Sequence, residues 1–355
     1  MQRRSTIRFS ALASVAAATL ALSGCTLAGG AGSGSGSADP SSSAGGTVTM
    51  LTHDSFNVSD ELIAQFEAET GYDLVVTSPG DAGVITSQLL LAGDNPGVDG
   101  VYGIDNYSAQ TVIDAGVLAP YASPSLPASA EALSLGDELT PIDQGQVCVN
   151  IDHAWFEDNG VAEPTTLDDL ATEEYAKLLV ITNPMTSSPG LAFLVATIAE
   201  YGEDGWQAYW QQLLDGGMKV DAGWSDAYFV DFSGAEGAGD YPLVLSYSSS
   251  PAEAGGATGV LEASCTTQVE YAGVTAGAEN PAGAQAFIDF MLSADFQQSL
   301  PESMYMYPVD DTIQLPSEWA QHASLVDAPL DLDPTEVASN RDAWLQEWNA
   351  LYEAR

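Results

Sequence analysis

From Thr47 onward, short apolar runs alternate with stretches of helical period. Thr47-Val-Thr-Met-Leu51 reads as a strand that enters the turn-like Thr52-His-Asp-Ser-Phe56. Ser59 to Gly71 reads as a helix: Ser59 is a capping residue, Leu62, Ile63 and Phe66 share a face, and Gly71 stops it. Tyr72-Asp-Leu-Val-Val-Thr77 is the next strand, residues 85–91 the next helix and Val98-Asp-Gly-Val-Tyr102 a third strand, followed by a helix to Asp114. This β-α-β-α-β order predicts a mostly parallel sheet with helices on its faces. Ligands of such sheets bind outside the carboxyl ends of the strands. The loops expected there carry His53-Asp54-Ser55, Gly80-Asp81-Ala82-Gly83 and Asp105-Asn106. None is a Gly-rich dinucleotide or P-loop motif, so neither a dinucleotide nor ATP is indicated.

The pattern then changes. Residues 119–142 are rich in Pro, Ala and Ser, and Gln146 to Asp152 is a strand placed to cross into a second lobe. Lys177-Leu-Leu-Val-Ile-Thr182 is a buried-type strand leading to Asn183-Pro-Met-Thr-Ser-Ser-Pro-Gly190 and an apolar helix through Ala199. Leu243-Val-Leu-Ser-Tyr247 enters a polar turn, and Gln268-Val-Glu-Tyr271 brings the chain back. Helices over 281–292, 294–299 and 333–351 end the chain, with Trp344 and Trp348 expected in the core. A chain that crosses and returns predicts two α/β lobes, 47–142 with 267–355 and 143–266, closing as a clam-shell. Each lobe is expected to be a mostly parallel sheet flanked by helices.

Charge narrows the function classes. Seven Lys and Arg face 50 Asp and Glu, and Arg3, Arg4 and Arg8 belong to a leader-like segment. The four remaining bases cannot neutralise a row of phosphates, which excludes nucleic acid and electrostatic docking on anionic lipid. The basic start and the apolar stretch from Phe9 to Leu22 read as a signal peptide, 1–24, too short to span a bilayer. Ala21-Leu-Ser-Gly-Cys25 resembles a bacterial lipobox, which implies lipidation at Cys25 and an extracytoplasmic protein held to the membrane. An ordinary signal peptide with an incidental Cys is the alternative. Residues 25–46 form a Gly/Ser-rich tether with a reach of roughly 25 Å. Of the other cysteines, Cys148 and Cys265 lie in strand-like runs. In an oxidising compartment a disulfide is their natural pairing, and two buried thiols are the alternative. Three scattered histidines do not make a zinc pattern.

Several motifs carry a family resemblance. Thr52-His-Asp-Ser-Phe56, Gly103-Ile-Asp-Asn106, Pro184-Met-Thr-Ser-Ser-Pro-Gly-Leu191, Gly223-Trp-Ser-Asp-Ala-Tyr228, Leu243-Val-Leu-Ser-Tyr-Ser-Ser-Ser-Pro251, Tyr305-Met-Tyr-Pro-Val309 and Arg341-Asp-Ala-Trp344 stand in this order. Each is weak alone. The ordered set resembles the thiamine-binding proteins of bacterial ABC importers and covers nearly all of 47–350. The resemblance implies a type II periplasmic-binding-protein fold and capture of thiamine between the lobes. Delivery would be to a membrane permease with its ATPase, by a monomer needing no cofactor or metal.

Thiamine carries a cationic thiazolium, an aminopyrimidine and a hydroxyethyl arm. A flat cation favours aromatic faces, each worth roughly 0.5–2 kcal/mol. By the resemblance, Trp224 and Tyr247 are stacking residues, with Tyr228 one helical turn beyond Trp224. Asp81 would accept from the pyrimidine amine, and Ser187 would cap a helix whose amides receive an oxygen or a phosphate. Asp54, Asp105 and Asn106 lie in the strand-end loops. The sequence departs from the family at His53, Glu253 and Tyr305, where the family has aromatics, a Trp in the last case. With so few bases the unphosphorylated vitamin is the expected form. The rival readings are a binder of another organic cation, such as a polyamine, and an extracellular thiamine-degrading enzyme. Thiaminases of one class share the scaffold but use a catalytic Cys.

Overall fold

The computed structural model describes residues 45–235 and 237–355. The leader 1–24, the lipidation site Cys25 and the tether up to residue 44 lie outside the described residues. The strands are β1 (Gly46–Thr52), β2 (Tyr72–Thr77), β3 (Gly100–Asp105), β4 (Leu118–Ala119), β5 (Thr140–Asp152), β6 (Leu179–Thr182), β7 (Lys219–Asp221), β8 (Leu243–Tyr247), β9 (Thr258–Thr275) and β10 (Tyr307–Pro308). They form one mixed sheet in the order β2-β1-β3-β9-β5-β8-β6-β7, with β10 paired to β5 and β4 to β9.

The parallel strands sit at the two ends of this sheet. β1 pairs in parallel with β2 and β3, and β6 with β7 and β8. Between them β5 and β9 run antiparallel, from Thr140↔Ala272 to Asp152↔Thr258. One end of β9 pairs with β3, and the far end of β5 pairs with β8, so these two strands join the halves. The expected lobe boundaries at 142/143 and 266/267 both fall inside them. The expected strand at 268–271 is thus the middle of a strand of 18 residues. Polar residues from Glu262 to Gln268 hide its length, because pairing with β5 on one side rather than local propensity carries the strand through them, and only its end beyond Val269 gains β3 and β4 on the other side.

Two irregularities mark the crossing. Pairing shifts between Pro141 and Asp143, where Pro141 has no N–H to give the ladder. It shifts again between Val147↔Thr266 and Val149↔Leu261, and there Cys148 and Cys265 are joined by a disulfide across 117 residues of chain. Closing a loop of that length contributes about 4–5 kcal/mol on the chain-entropy account.

The helices follow the pattern closely. Ser59 accepts from the Leu62 amide and Gly71 ends Asp60–Thr70 in the left-handed region. Ser188–Tyr201 is buried along most of its length. It packs beside Trp206–Asp215, which in turn packs on Pro334–Glu353, with Trp210 edge-on to Phe193 and to Trp348. Trp344 and Trp348 are buried core residues. Ala294–Met304 runs on through Pro301, past the expected end at 299, because Phe296, Leu300 and Met304 share a buried face. No helix among the described residues is long and apolar enough to cross a membrane.

Candidate functional site

The carboxyl ends of β1, β2 and β3 meet those of β6, β7 and β8, and the loops that follow them form a cleft. Its walls touch. Ser55 and Ser225 hydroxyls lie 3.2 Å apart. The Asp81 carboxylate accepts from the Trp224 amide at 3.0 Å, and Ser188 donates to Asp105. Gly83 permits the close approach, since a Cβ there would come within 2.6 Å of the Thr186 backbone. Two adjoining cavities remain, of about 250 and 460 Å³, and both are bordered by Asp54 and Ser225.

The larger cavity is bordered by Phe56, Trp224, Phe229 and Tyr305. Its far wall begins at Gly223-Trp-Ser-Asp, which turns one short helical piece before the backbone widens into a π-turn over Ala227–Asp231. That turn brings Tyr228 flat against Trp224, with centroids 5.1 Å apart and planes at 14°. Tyr228 therefore backs one face of Trp224 rather than adding a separate wall. Tyr247 lies 5.7 Å from Trp224 on β8. Tyr305 approaches to 5.6 Å from the returning chain. Its own backbone is left-handed, φ 59°, where it ends the Ala294–Met304 helix. The Trp224 indole N–H donates to Ser246 at 2.9 Å, which fixes the ring's orientation.

The smaller cavity is acidic, with Asp54, Asp81 and Asp226 around it. Asp81 also serves the protein: one oxygen caps Ala82–Ala92 through the Ala82 amide at 2.6 Å, while the other holds Trp224. Burial raises its pKa, against the pull of the Ser187 hydroxyl, the two amides and His53. Ser187 occupies the N-cap position of Ser188–Tyr201, but its hydroxyl makes no bond to the helix amides.

The other predicted residues lie around this centre. Asp105 accepts from Ser188 and from the Ser108 amide at 2.7 Å. Asn106 ties β3 to β9 by accepting from the Val269 amide at 3.0 Å. Glu253 is drawn to another task, accepting from the Trp319 indole at 2.9 Å, and it borders neither cavity.

His53 is buried over the crossing strands, where Gly103, at φ +98°, leaves room for its ring. Its Nε2 lies 3.5 Å from Glu270 of β9. Tyr102 donates to Glu270 at 3.0 Å and to Asp143 of β5, and Gln268 donates to Glu270 at 3.2 Å. Burial pulls the imidazole pKa down, but Glu270, with Asp81 and Asp54, outweighs it and leaves it above the ordinary 6.5. Burial likewise opposes ionisation of Glu270, yet His53 and the donors hold its pKa below the usual 4.5. Asp143 is pushed well up, by burial first and by Glu270 second. Sequence reasoning missed this network. It also missed Ser225, Asp226, Phe56 and Phe229, although all but Phe229 stand inside motifs already singled out.

Residues 96–328 match the model of the family described as bacterial extracellular solute-binding protein. The chain belongs to that family. The solute-binding protein is 30% identical over 315 residues to the thiamine-binding periplasmic protein of Escherichia coli (strain K12), covering 85% of this chain and 92% of the relative. It is also 30% identical over 326 residues to the protein of the same description from Brucella suis biovar 1 (strain 1330), covering 88% and 93%. Among solved structures it resembles a periplasmic thiamin binding protein, with a TM-score of 0.74 at 28% identity, covering 86% and 96% of the chains. The fold of the solute-binding protein is therefore that of the periplasmic binding proteins, and its cleft lies where two sheet ends face each other.

Proposed function

We propose that this protein captures thiamine in the cleft and hands it to the permease of an ABC importer. The relatives named above support the ligand. The observation that carries the reading is an aromatic cluster around Trp224 opposite Asp54, in a cleft whose two cavities are bordered by no Lys or Arg. Aromatic faces and carboxylates together suit a flat organic cation. The cleft needs no chemical step: Ser55–Ser225 and Asp81–Trp224 hold its walls together around the ligand.

The remaining parts of the reading are extensions. The two lobes divide at 142/143 and 266/267, so that closure bends β5 and β9. Cys25 carries a lipid, the tether leaves the monomeric binding unit free outside the cytoplasm, and the protein is no enzyme. Calorimetry with thiamine and with spermidine tests the ligand: thiamine is expected to bind and spermidine not. Tight spermidine binding without thiamine would replace the reading with a polyamine binder. Mass spectrometry of thiamine after incubation is expected to show it intact.

A further inference from the structure

We infer that His53 makes capture proton-linked: its imidazolium is the cation the cleft acids hold before the ligand arrives, and an arriving organic cation drives that proton off to solvent. This rests on the thiamine reading above and deepens it. His53 directly follows β1 and is buried, bordering neither cavity itself. Each element packed on its ring presents a titratable group: Asp54 from its own loop, Asp81 from the loop after β2, Tyr102 from β3 and Glu270 from β9. Behind them Asp143 of β5 accepts from Tyr102, and Tyr247 of β8 lies in the field of Glu270 and Asp81. The charges in this set are carboxylates, and the imidazole supplies the positive one. Glu270 stands 3.5 Å from Nε2, longer than the roughly 2.7–2.9 Å of a tight charge-assisted bond. The ring's charge therefore depends on several acids together, with Asp81 and Asp54 helping Glu270 to hold the proton against burial. Glu270 is not left bare when that proton leaves, since Tyr102 and Gln268 donate to it at 3.0 and 3.2 Å.

Two of these acids also face the ligand. Asp54 borders both cavities and Asp81 the smaller one. A thiazolium seated between Asp54 and the Trp224 and Tyr305 rings therefore competes with the imidazolium for the same carboxylates. Their mutual repulsion acts well inside a Debye length of about 10 Å, and salt screens a buried charge little. Linkage makes the effect reciprocal: thiamine lowers the proton affinity of His53, and protonation of His53 lowers the affinity for thiamine. Affinity is then weakest where the ring is charged, rises with pH as the proton is lost, and levels once the ring is neutral. The other two histidines stand apart from this exchange. His153 pairs with Glu163 at 2.7 Å and His322 lies 3.8 Å from Glu318, and neither borders a cavity of the cleft.

The test is calorimetry of the protein with thiamine at about pH 7 in two buffers of different ionisation heat, with NMR titration of the histidine rings alongside. The apparent heats should differ between the buffers by the release of up to about one proton per ligand. Affinity should rise about three- to tenfold from about pH 6 to about pH 8. In the NMR titration thiamine should lower the pKa of His53 and leave His153 and His322 unmoved. His53→Gln should bind thiamine with heats that no longer depend on the buffer; the NMR reads the unaltered protein, so a variant that fails to fold does not remove the test. Buffer-independent heats with an unmoved His53 would overturn the coupling while leaving thiamine capture intact. Proton release that persists in His53→Gln would move it to another group, such as Asp143, and overturn the assignment. Failure to bind thiamine at all would remove the functional reading and the coupling together.

Discussion

The two walls of the cleft reach their function by opposite routes. On one, Trp224, Tyr228, Tyr247 and Tyr305 come from β7, β8 and the returning chain, and their rings lie against one another. On the other, acidic residues expected at the ligand are spent on the protein: Asp81 caps a helix and grips Trp224, and Asp105 holds Ser188 and Ser108. The difference follows from chemistry. A ring has two faces and an edge, so it can pack on a neighbour and still offer surface. A buried carboxylate must have its oxygens satisfied, and strand-end loops are full of amides and hydroxyls that satisfy them. Only carboxylates left toward solvent, such as Asp54 and Asp226, face the cavities unburied.

Substitutions can break this contrast. Trp224→Ala is expected to have the largest effect on binding, weakening thiamine at least about tenfold by calorimetry, since it removes a stacking face and unseats Tyr228. Unchanged affinity would place the ligand elsewhere. Asp81→Asn should act through closure. Losing the charge-assisted bond to the Trp224 amide costs roughly 1–2 kcal/mol, to be seen as a larger radius of gyration of the unliganded protein by small-angle scattering. A compact Asp81→Asn variant with weakened binding would instead make Asp81 a direct ligand residue.

The acid network below the cleft predicts a pH dependence with a definite sign. His53 has a folded pKa above 6.5, so its contribution is complete below that value and is lost as pH rises through the raised one. The raised Asp143 acts in the same direction above 3.8, while the lowered Glu270 loses its contribution as pH falls below 4.5. Thermal melts should therefore decline on the alkaline side, and His53→Gln should flatten that decline. A melt that stays level or rises there would contradict the His53–Glu270 pairing. The smallest effect is expected at Glu253→Gln: its carboxylate serves Trp319, so thiamine affinity should stay within about twofold. A large loss there would bring Glu253 back to the ligand.

The same contrast sets how much the sequence made legible. Apolar period and caps located β1, β2, the helix after Ser59 and the tryptophans of the last helix, because burial and local capping act within a few residues. The aromatic positions were legible only through ordered motifs, and the motifs could not say that Tyr228 covers a face of Trp224. That depends on the π-turn at Ala227–Asp231. The partners of the acids were not legible at all. Asp143 and Glu270 lie 127 positions apart in sequence and meet through the pairing Asp143↔Glu270 at a bulge no local pattern announces. Glu253 was read as a departure at a position where the family has an aromatic, but Trp319, which claims it, lies 66 residues away.

The central claim is that thiamine sits between the Trp224 cluster and the Asp54 loop. A crystal structure of the protein with thiamine tests it most directly. The account predicts the thiazolium within about 6 Å of the centroid of the Trp224 or Tyr305 ring, with Asp54 on its other side. Thiamine bound away from these rings, for example in the groove between Leu91 and Met185, would contradict it.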